Sequence, residues 1–192
     1  MPVRLDQPPS LANDALVSGL RRFGVLSGAR VAGRLWQAEQ VAIPRPVPLY
    51  TSTLQSAVDG RVLEEAYPAG WLYLVHEGEE LAALAEVAPS LAGQGYALLS
   101  LSRSTYNEAA GTALSRAVQV AEELPDDLDL RMLRIPALYF LAVWLHGETI
   151  DRCIPLPPAP FGLEPFEILI GGDLTTLLQQ EGENQLTQSN AP

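Results

Sequence analysis

The apolar run Ile135-Pro136-Ala137-Leu138-Tyr139-Phe140-Leu141-Ala142-Val143-Trp144-Leu145 constrains this chain more than any other stretch. Periodicity alone does not separate a buried strand from a buried helix in such a run, so its flanks decide. Pro136 stands at its start, where a strand tolerates proline. His146-Gly147-Glu148-Thr149 reads as a short turn, and the apolar segment Ile150 to Leu156 follows, so residues 137–156 are expected to form a β-hairpin. By parity, Leu138, Phe140, Ala142 and Trp144 share one face, and Tyr139, Leu141, Val143 and Leu145 the other. Both faces are apolar, as in a central strand covered on both sides. A membrane-spanning helix needs about 20 apolar residues, so this run is too short to cross.

A second hairpin is expected over 71–87. Trp71 to Val75 reads as a strand, His76-Glu77-Gly78-Glu79-Glu80 as a turn, and Leu81 to Val87 as the return, with Tyr96 to Ser102 as a further strand. The clearest helix spans 105–124, where Thr105 and Glu108 form a capping-box pair. Tyr106, Ala110, Ala113, Leu114, Ala117, Val118 and Ala121 make its apolar stripe, and Pro125 stops it. Asp126, Asp127 and Asp129 then read as an acidic turn. A helix capped by Ser10 carries Leu16, Leu20 and Phe23 on one face. Another opens at Thr51 or Ser52 and runs through Leu54, Val58, Val62 and Ala66, weakened by Gly60. Trp36 with Ala38, and Val41 with Ile43, suggest a strand with a bulge. The prolines at 44, 46 and 48 impose an extended connector. Near the end, Phe166, Ile168 and Ile170 alternate, Gly171-Gly172 turn the chain, and Asp173 caps a helix through Leu178.

The fold class that follows is α+β: an antiparallel sheet of about four to six strands, built from hairpins 71–87 and 137–156 and packed against helices, notably 105–124. Residues 1–9, with three prolines, read as a flexible arm, 10–180 as a single domain, and 181–192 as a disordered tail. A hairpin rich in His, Gly and Glu follows a helix twice, as Leu74-Val75-His76-Glu77-Gly78-Glu79 and Trp144-Leu145-His146-Gly147-Glu148. This is an internal echo between 52–87 and 105–156.

Charge excludes some functions. The net charge of −11, with a pI near 4.5, repels nucleic-acid backbones and anionic lipid, and all twelve basic residues are arginine. The lone Cys153 and the absence of a basic, hydrophobic leader point to a reducing, cytoplasmic setting.

Chemistry-bearing motifs are sparse. His76 and His146 both fall in expected turns beside glutamates, without a partner at metal-ligand spacing, and the ordinary reading is exposed turn histidines. Ser100-Leu101-Ser102-Arg103-Ser104 precedes a helix and could hold an anion, but no lysine follows its glycines and helix capping explains it better. Gly93-Gln94-Gly95 lacks the third glycine of a dinucleotide fingerprint, and no nucleophile elbow occurs. Cys153 sits among apolar residues, as inert structural thiols do. No catalytic, cofactor or metal set is therefore expected.

From residue 52 the expected order is helix, three strands, helix, two strands, helix. This is similar to the secretion-chaperone-like α+β fold, and the resemblance implies a small acidic protein, often dimeric, that holds partner polypeptides. It carries no residue-level site. The expectation is a non-catalytic interaction or assembly protein with a protein partner, a homodimer being one form of it. The alternative is a small enzyme or ligand-binding domain. Its pocket would lie between the sheet and helix 105–124 and would be served by Tyr139, Arg103, His146 and Asp151.

Overall fold

The computed structural model describes residues 3–27, 30, 31, 34, 35, 37–43, 46–91, 93, 95–102, 105–160 and 162–189. Along the chain these form strand β1 (Val3–Arg4), helix α1 (Ser10–Arg22), strands β2 (Arg30–Val31), β3 (Arg34–Leu35), β4 (Val41–Ala42) and β5 (Val47–Thr51), and helix α2 (Leu54–Val58). Strands β6 (Tyr67–Glu77), β7 (Glu80–Pro89) and β8 (Tyr96–Ser102) follow, then helix α3 (Thr105–Glu122). Strands β9 (Leu128–Ile135), β10 (Phe140–His146), β11 (Asp151–Pro155) and β12 (Leu169–Ile170) precede helix α4 (Gly171–Ser189). The class is α+β, with four α-helices among the described residues. The strands are mostly antiparallel, and their number exceeds the four to six expected. The chain divides into two compact units, one holding residues 1–4, 49–68 and 112–192, the other 5–48 and 69–111.

In the first unit β10 lies between β9 and β11, antiparallel to both. The expected hairpin is thus present, with Val143 opposite Ile154 and Trp144 opposite Cys153. Its entry differs from expectation. Pro136–Leu138 form a 3-10 turn and Tyr139 adopts a left-handed conformation (φ 51°), so the strand starts only at Phe140. That turn exists because β9 precedes it. The stretch expected as an acidic turn continues into a strand, in which Leu128, Leu130 and Met132 are buried between the partly exposed Asp129 and Arg131. β9 also departs from a purely antiparallel plan, since both β1 and β5 pair with it in parallel. Val3–Arg4 are therefore ladder residues, where the sequence suggests an arm.

Ala57, Leu133, Ile135, Phe140, Trp144, Cys153, Leu174 and Leu178 belong to one buried cluster, so α2 and α4 cover the same sheet face. Helix α2 is a short remnant of the helix expected over 52–66. Thr51 ends β5, and the Thr53 hydroxyl caps α2 by accepting from the Ser56 amide at 3.0 Å. Gly60 ends the helical stretch at φ 66°, a region that side-chain-bearing residues avoid. Gly171 and Gly172, expected as a turn, are the first residues of α4. That helix continues to Ser189, past the Leu178 end expected from composition, and Gly182 lies buried against Val58.

In the second unit β7 pairs with β6 and β8, and β4 adds to β6, all antiparallel; β2 and β3 pair separately. Helix α1 packs on β8 and β7 through Ala12, Leu16 and Leu20, which recur every four residues and are fully buried. Pro9, not Ser10, occupies its cap position, and Arg21 and Arg22 sit in the last turn, where the helix dipole favours cations. The early part of α3 meets β7: Asn107 Nδ2 donates to the Ala82 carbonyl at 3.3 Å, and Gly111 lies against Leu81. Ala110, Ala113, Ala117 and Ala121 are buried as expected of the stripe, as is Ala109 beside it, whereas Val118 is exposed. Trp36 and the middle of its expected strand lie outside the described residues.

Phe140 is fully buried at the start of β10, between two strands and under helices. Phe140→Ala should destabilise the protein by about 3–5 kcal/mol in urea unfolding. A loss of only a few tenths would mean that this face is not a packed core.

Candidate functional site

The apolar face of the first unit ends in a polar cluster. Strand pairing sets His146 opposite both Asp129 and Asp151, and Trp144 opposite Arg131. Asp151 Oδ1 accepts from Trp144 Nε1 at 2.7 Å and lies 2.9 Å from His146 Nδ1. Arg131 stacks 4.6 Å from the Tyr50 ring centroid and 5.0 Å from that of Trp144, two rings that meet edge to face. Its terminal nitrogen donates to Asp129 Oδ2 at 2.9 Å, while Arg4 Nε donates to Oδ1 of the same carboxylate at 2.9 Å. Beside the cluster opens a cleft of about 410 Å³, lined among others by Arg61, Asp151, Arg152, Gly171 and Thr175.

Two of the four residues named for the enzyme alternative, His146 and Asp151, are thus brought together. Tyr139 is not with them. It lies 85% exposed before the start of β10, so that six residues of that strand, roughly 20 Å, separate it from His146. Arg103 lies outside the described residues. A carboxylate that holds Nδ1 orients an imidazole for proton transfer or metal binding through Nε2. Cys153 is a poor partner for such chemistry, because burial, aided by the Asp151 charge, pushes its thiol well above the usual range. Among the described residues no three His, Cys, Asp or Glu side chains are grouped to hold a metal ion.

His76 and His146 are not turn residues. Each lies at or next to the end of its strand, β6 or β10, with its backbone in register with neighbouring strands, because the first hairpin turn is tighter than the sequence suggests, with only Gly78 and Glu79 between β6 and β7, and the second is shifted one residue along, to 147–150. Tyr50, Asp129 and Arg131 escaped sequence reasoning. The alternation Leu-Asp-Leu-Arg-Met at 128–132 was the available signal, and it places both charged residues on one face.

The second unit presents a different kind of site. Ala15, Ser18, Gly19, Arg22 and Phe23 recur at helical spacing along α1 and line a cleft of about 450 Å³ with Tyr96, Ala97 and Leu98 of β8. Gly19 is required there: a Cβ would come within 2.4 Å of the Leu98 side chain. The β7–β8 register shifts between Glu86 and Val87, and Leu99 has no opposite residue. This bulge preserves the inward parity, so that Tyr96, Leu98 and Leu101 all pack on the core under α1. Leu99 is left 59% exposed and Phe23 52% exposed. Ser100 and Ser102 lie in β8, which spans the strand expected from Tyr96 to Ser102.

No family model, no curated protein and no solved structure matches the chain. Among the described residues no helix is long and apolar enough to cross a membrane.

Two outcomes test this geometry. Asp151→Ala leaves the indole N–H and the imidazole without their shared acceptor and should cost about 1–3 kcal/mol, with a change in Trp144 fluorescence. Unchanged stability and emission would show that Asp151 does not order the cluster. The second concerns Tyr73, a buried phenol that donates to Asn13 Oδ1 at 2.8 Å. Burial, with a smaller contribution from Tyr96, raises its pKa to about 12. The folded state therefore holds this proton more tightly than the unfolded chain. The stabilisation is complete below pH about 10 and is lost as pH rises toward about 12, a change of order 2 kcal/mol. Stability should fall more steeply over that window in the parent than in Tyr73→Phe, and parallel profiles would contradict the assignment.

Proposed function

We propose that this chain is a non-catalytic protein-interaction or assembly protein that works through the α1–β8 edge. The observation that carries the reading is the cleft along that edge. Small and apolar side chains and the exposed Phe23 line it, the exposed Leu99 is next to it in sequence on β8, and that strand carries no charged residue from Tyr96 to Ser102. Clustered apolar surface of this kind marks contact sites, and a sheet edge offers unpaired backbone groups to an incoming chain. Among the described residues no strand pairs with the outer side of β8. The helix, three-strand, helix order from α2 through α3 is in keeping with a secretion-chaperone-like protein, though β9 makes the following strand set larger than that resemblance implies. The charge of −11 speaks for a protein partner over nucleic acid or an anionic membrane, and a cytoplasmic setting accords with the single buried free thiol.

A second reading, a small enzyme or ligand-binding domain, rests on the His146–Asp151 pair beside the cleft at the start of α4. Its pocket would differ from the one expected, since the lining of the cleft beside Asp151 includes no residue of α3.

A photo-reactive phenylalanine analogue in place of Leu99 separates the two readings. In native extract it should cross-link to protein, and the same probe at the exposed Thr176 of α4 should not. Phe23→Glu should abolish the cross-link, because burying an unpaired charge at an interface costs several kcal/mol. His146→Ala, His76→Ala and Cys153→Ser should leave it intact. No protein cross-link at position 99, or its loss on His146→Ala with Phe23→Glu silent, would overturn the interaction reading.

A further inference from the structure

Building on that interaction function, we propose that the α1–β8 edge takes a second copy of this chain, forming a two-fold dimer in which β8 pairs antiparallel with its mate and α1 packs against its mate. A two-fold axis brings each patch against itself, so the patch must be self-complementary. In a chain with net charge −11 most surface would set acid against acid. β8 avoids this, since Tyr96-Ala97-Leu98-Leu99-Ser100-Leu101-Ser102 carries no charge. It also lacks the lysines and prolines that commonly guard an edge.

The bulge at Leu99 limits regular pairing to the stretch before it. With the axis at Ala97, Tyr96 of one copy stands opposite Leu98 of the other, an aromatic–aliphatic pair on the face that α1 covers. The small Ala97 meets itself at the centre. The same axis makes the two copies of α1 antiparallel neighbours. Their facing line is Leu11, Ala15, Ser18 and Arg22, spaced four, three and four residues apart. The small side chains of Ala15 and Ser18 let the helices approach closely, and the exposed Leu11 and Phe23 gain cover.

Charge supplies the second argument. Ser18 and Ala97 line the same cleft, and the proposed axis passes at their level. Asp14 and Arg22 are exposed and stand equally far from Ser18 on either side. In an antiparallel helix pair centred there, Arg22 of each copy faces Asp14 of the other. The rim is thereby complementary on both sides of the axis, and the two contacts select the antiparallel arrangement.

Sedimentation of the full chain at concentrations up to about 100 µM decides the matter. The expected mass is twice the 20.7 kDa of one chain. Ala97→Lys sets two ammonium groups against each other at the axis and should yield monomer. Arg22→Asp places aspartate opposite aspartate and should weaken the dimer on the order of tenfold or more, as should Asp14→Arg. The double variant D14R/R22D restores opposite charges at both positions and should recover the parent affinity. Its recovery also shows that the single variants do not act by unfolding α1. A monomer at every concentration, a dimer indifferent to Ala97→Lys, or additive weakening in the double variant would overturn the proposal. If the chain is monomeric while the probe at position 99 still cross-links another protein, the dimer fails and the interaction function stands.

Discussion

The first unit depends on the pairing of β9 with β10. Seven residues of each strand are in antiparallel register, from Phe140 opposite Ile135 to His146 opposite Asp129, and the outer side of β9 takes β1 and β5 in parallel. A strand bonded on both sides satisfies its backbone completely, and so can bury both faces. Leu128, Leu130 and Met132 are buried on one face and Leu133 and Ile135 on the other, as suits a strand with ladder partners on both edges. The hairpin to β11 and the cover by α2 and α4 extend this ladder.

Polar chemistry in the first unit collects where the apolar face runs out. Asp129 and Asp151 each accept from two groups, the first from Arg4 and Arg131, the second from Trp144 and His146. Such sharing suits a partly buried cluster, because each carboxylate needs several donors once water is reduced. It also ties His146 to an indole and a strand, a structural duty as much as a chemical one. The ladder sets Cys153 opposite Trp144, but its raised thiol pKa keeps it from serving as a nucleophile near neutral pH.

The second unit is built by close approach. Alanines dominate the buried positions of β7, and Gly19 of α1 lies against Leu98 of β8 with no room for a Cβ. One extra residue in β8 keeps Leu101 pointing inward, and the same irregularity leaves Leu99 outside. The exposed apolar edge is thus a by-product of how the helix and strand fit together.

Local pattern determined a good part of this protein. The 3.6-residue spacing of Leu16 and Leu20, the alanine stripe from Ala110 to Ala121, and the apolar runs at 71–87 and 137–156 identified α1, α3 and both hairpins, since each signal is local in the chain. The strands missed were those whose stability comes from distant partners: β1 and β5 find theirs in β9, more than 80 residues away. β9 itself was hidden by Asp129 and by Asp126 and Asp127 just before it, since aspartate suits a turn and a strand edge equally well. Residues 179–189 are polar enough to read as a tail, yet they continue a helix anchored by Leu174 and Leu178. Site geometry was legible only in fragments. His146 and Asp151 are near in sequence and could be nominated together, whereas Arg131, Asp129 and Tyr50 reach them across strands. The α1–β8 cleft joins residues more than 70 positions apart, and no spacing along the chain encodes that. Composition and periodicity settle which residues are buried, because burial depends on a residue and its near neighbours. Which buried elements meet is decided by ladder register and by packing, and those are properties of the folded chain alone.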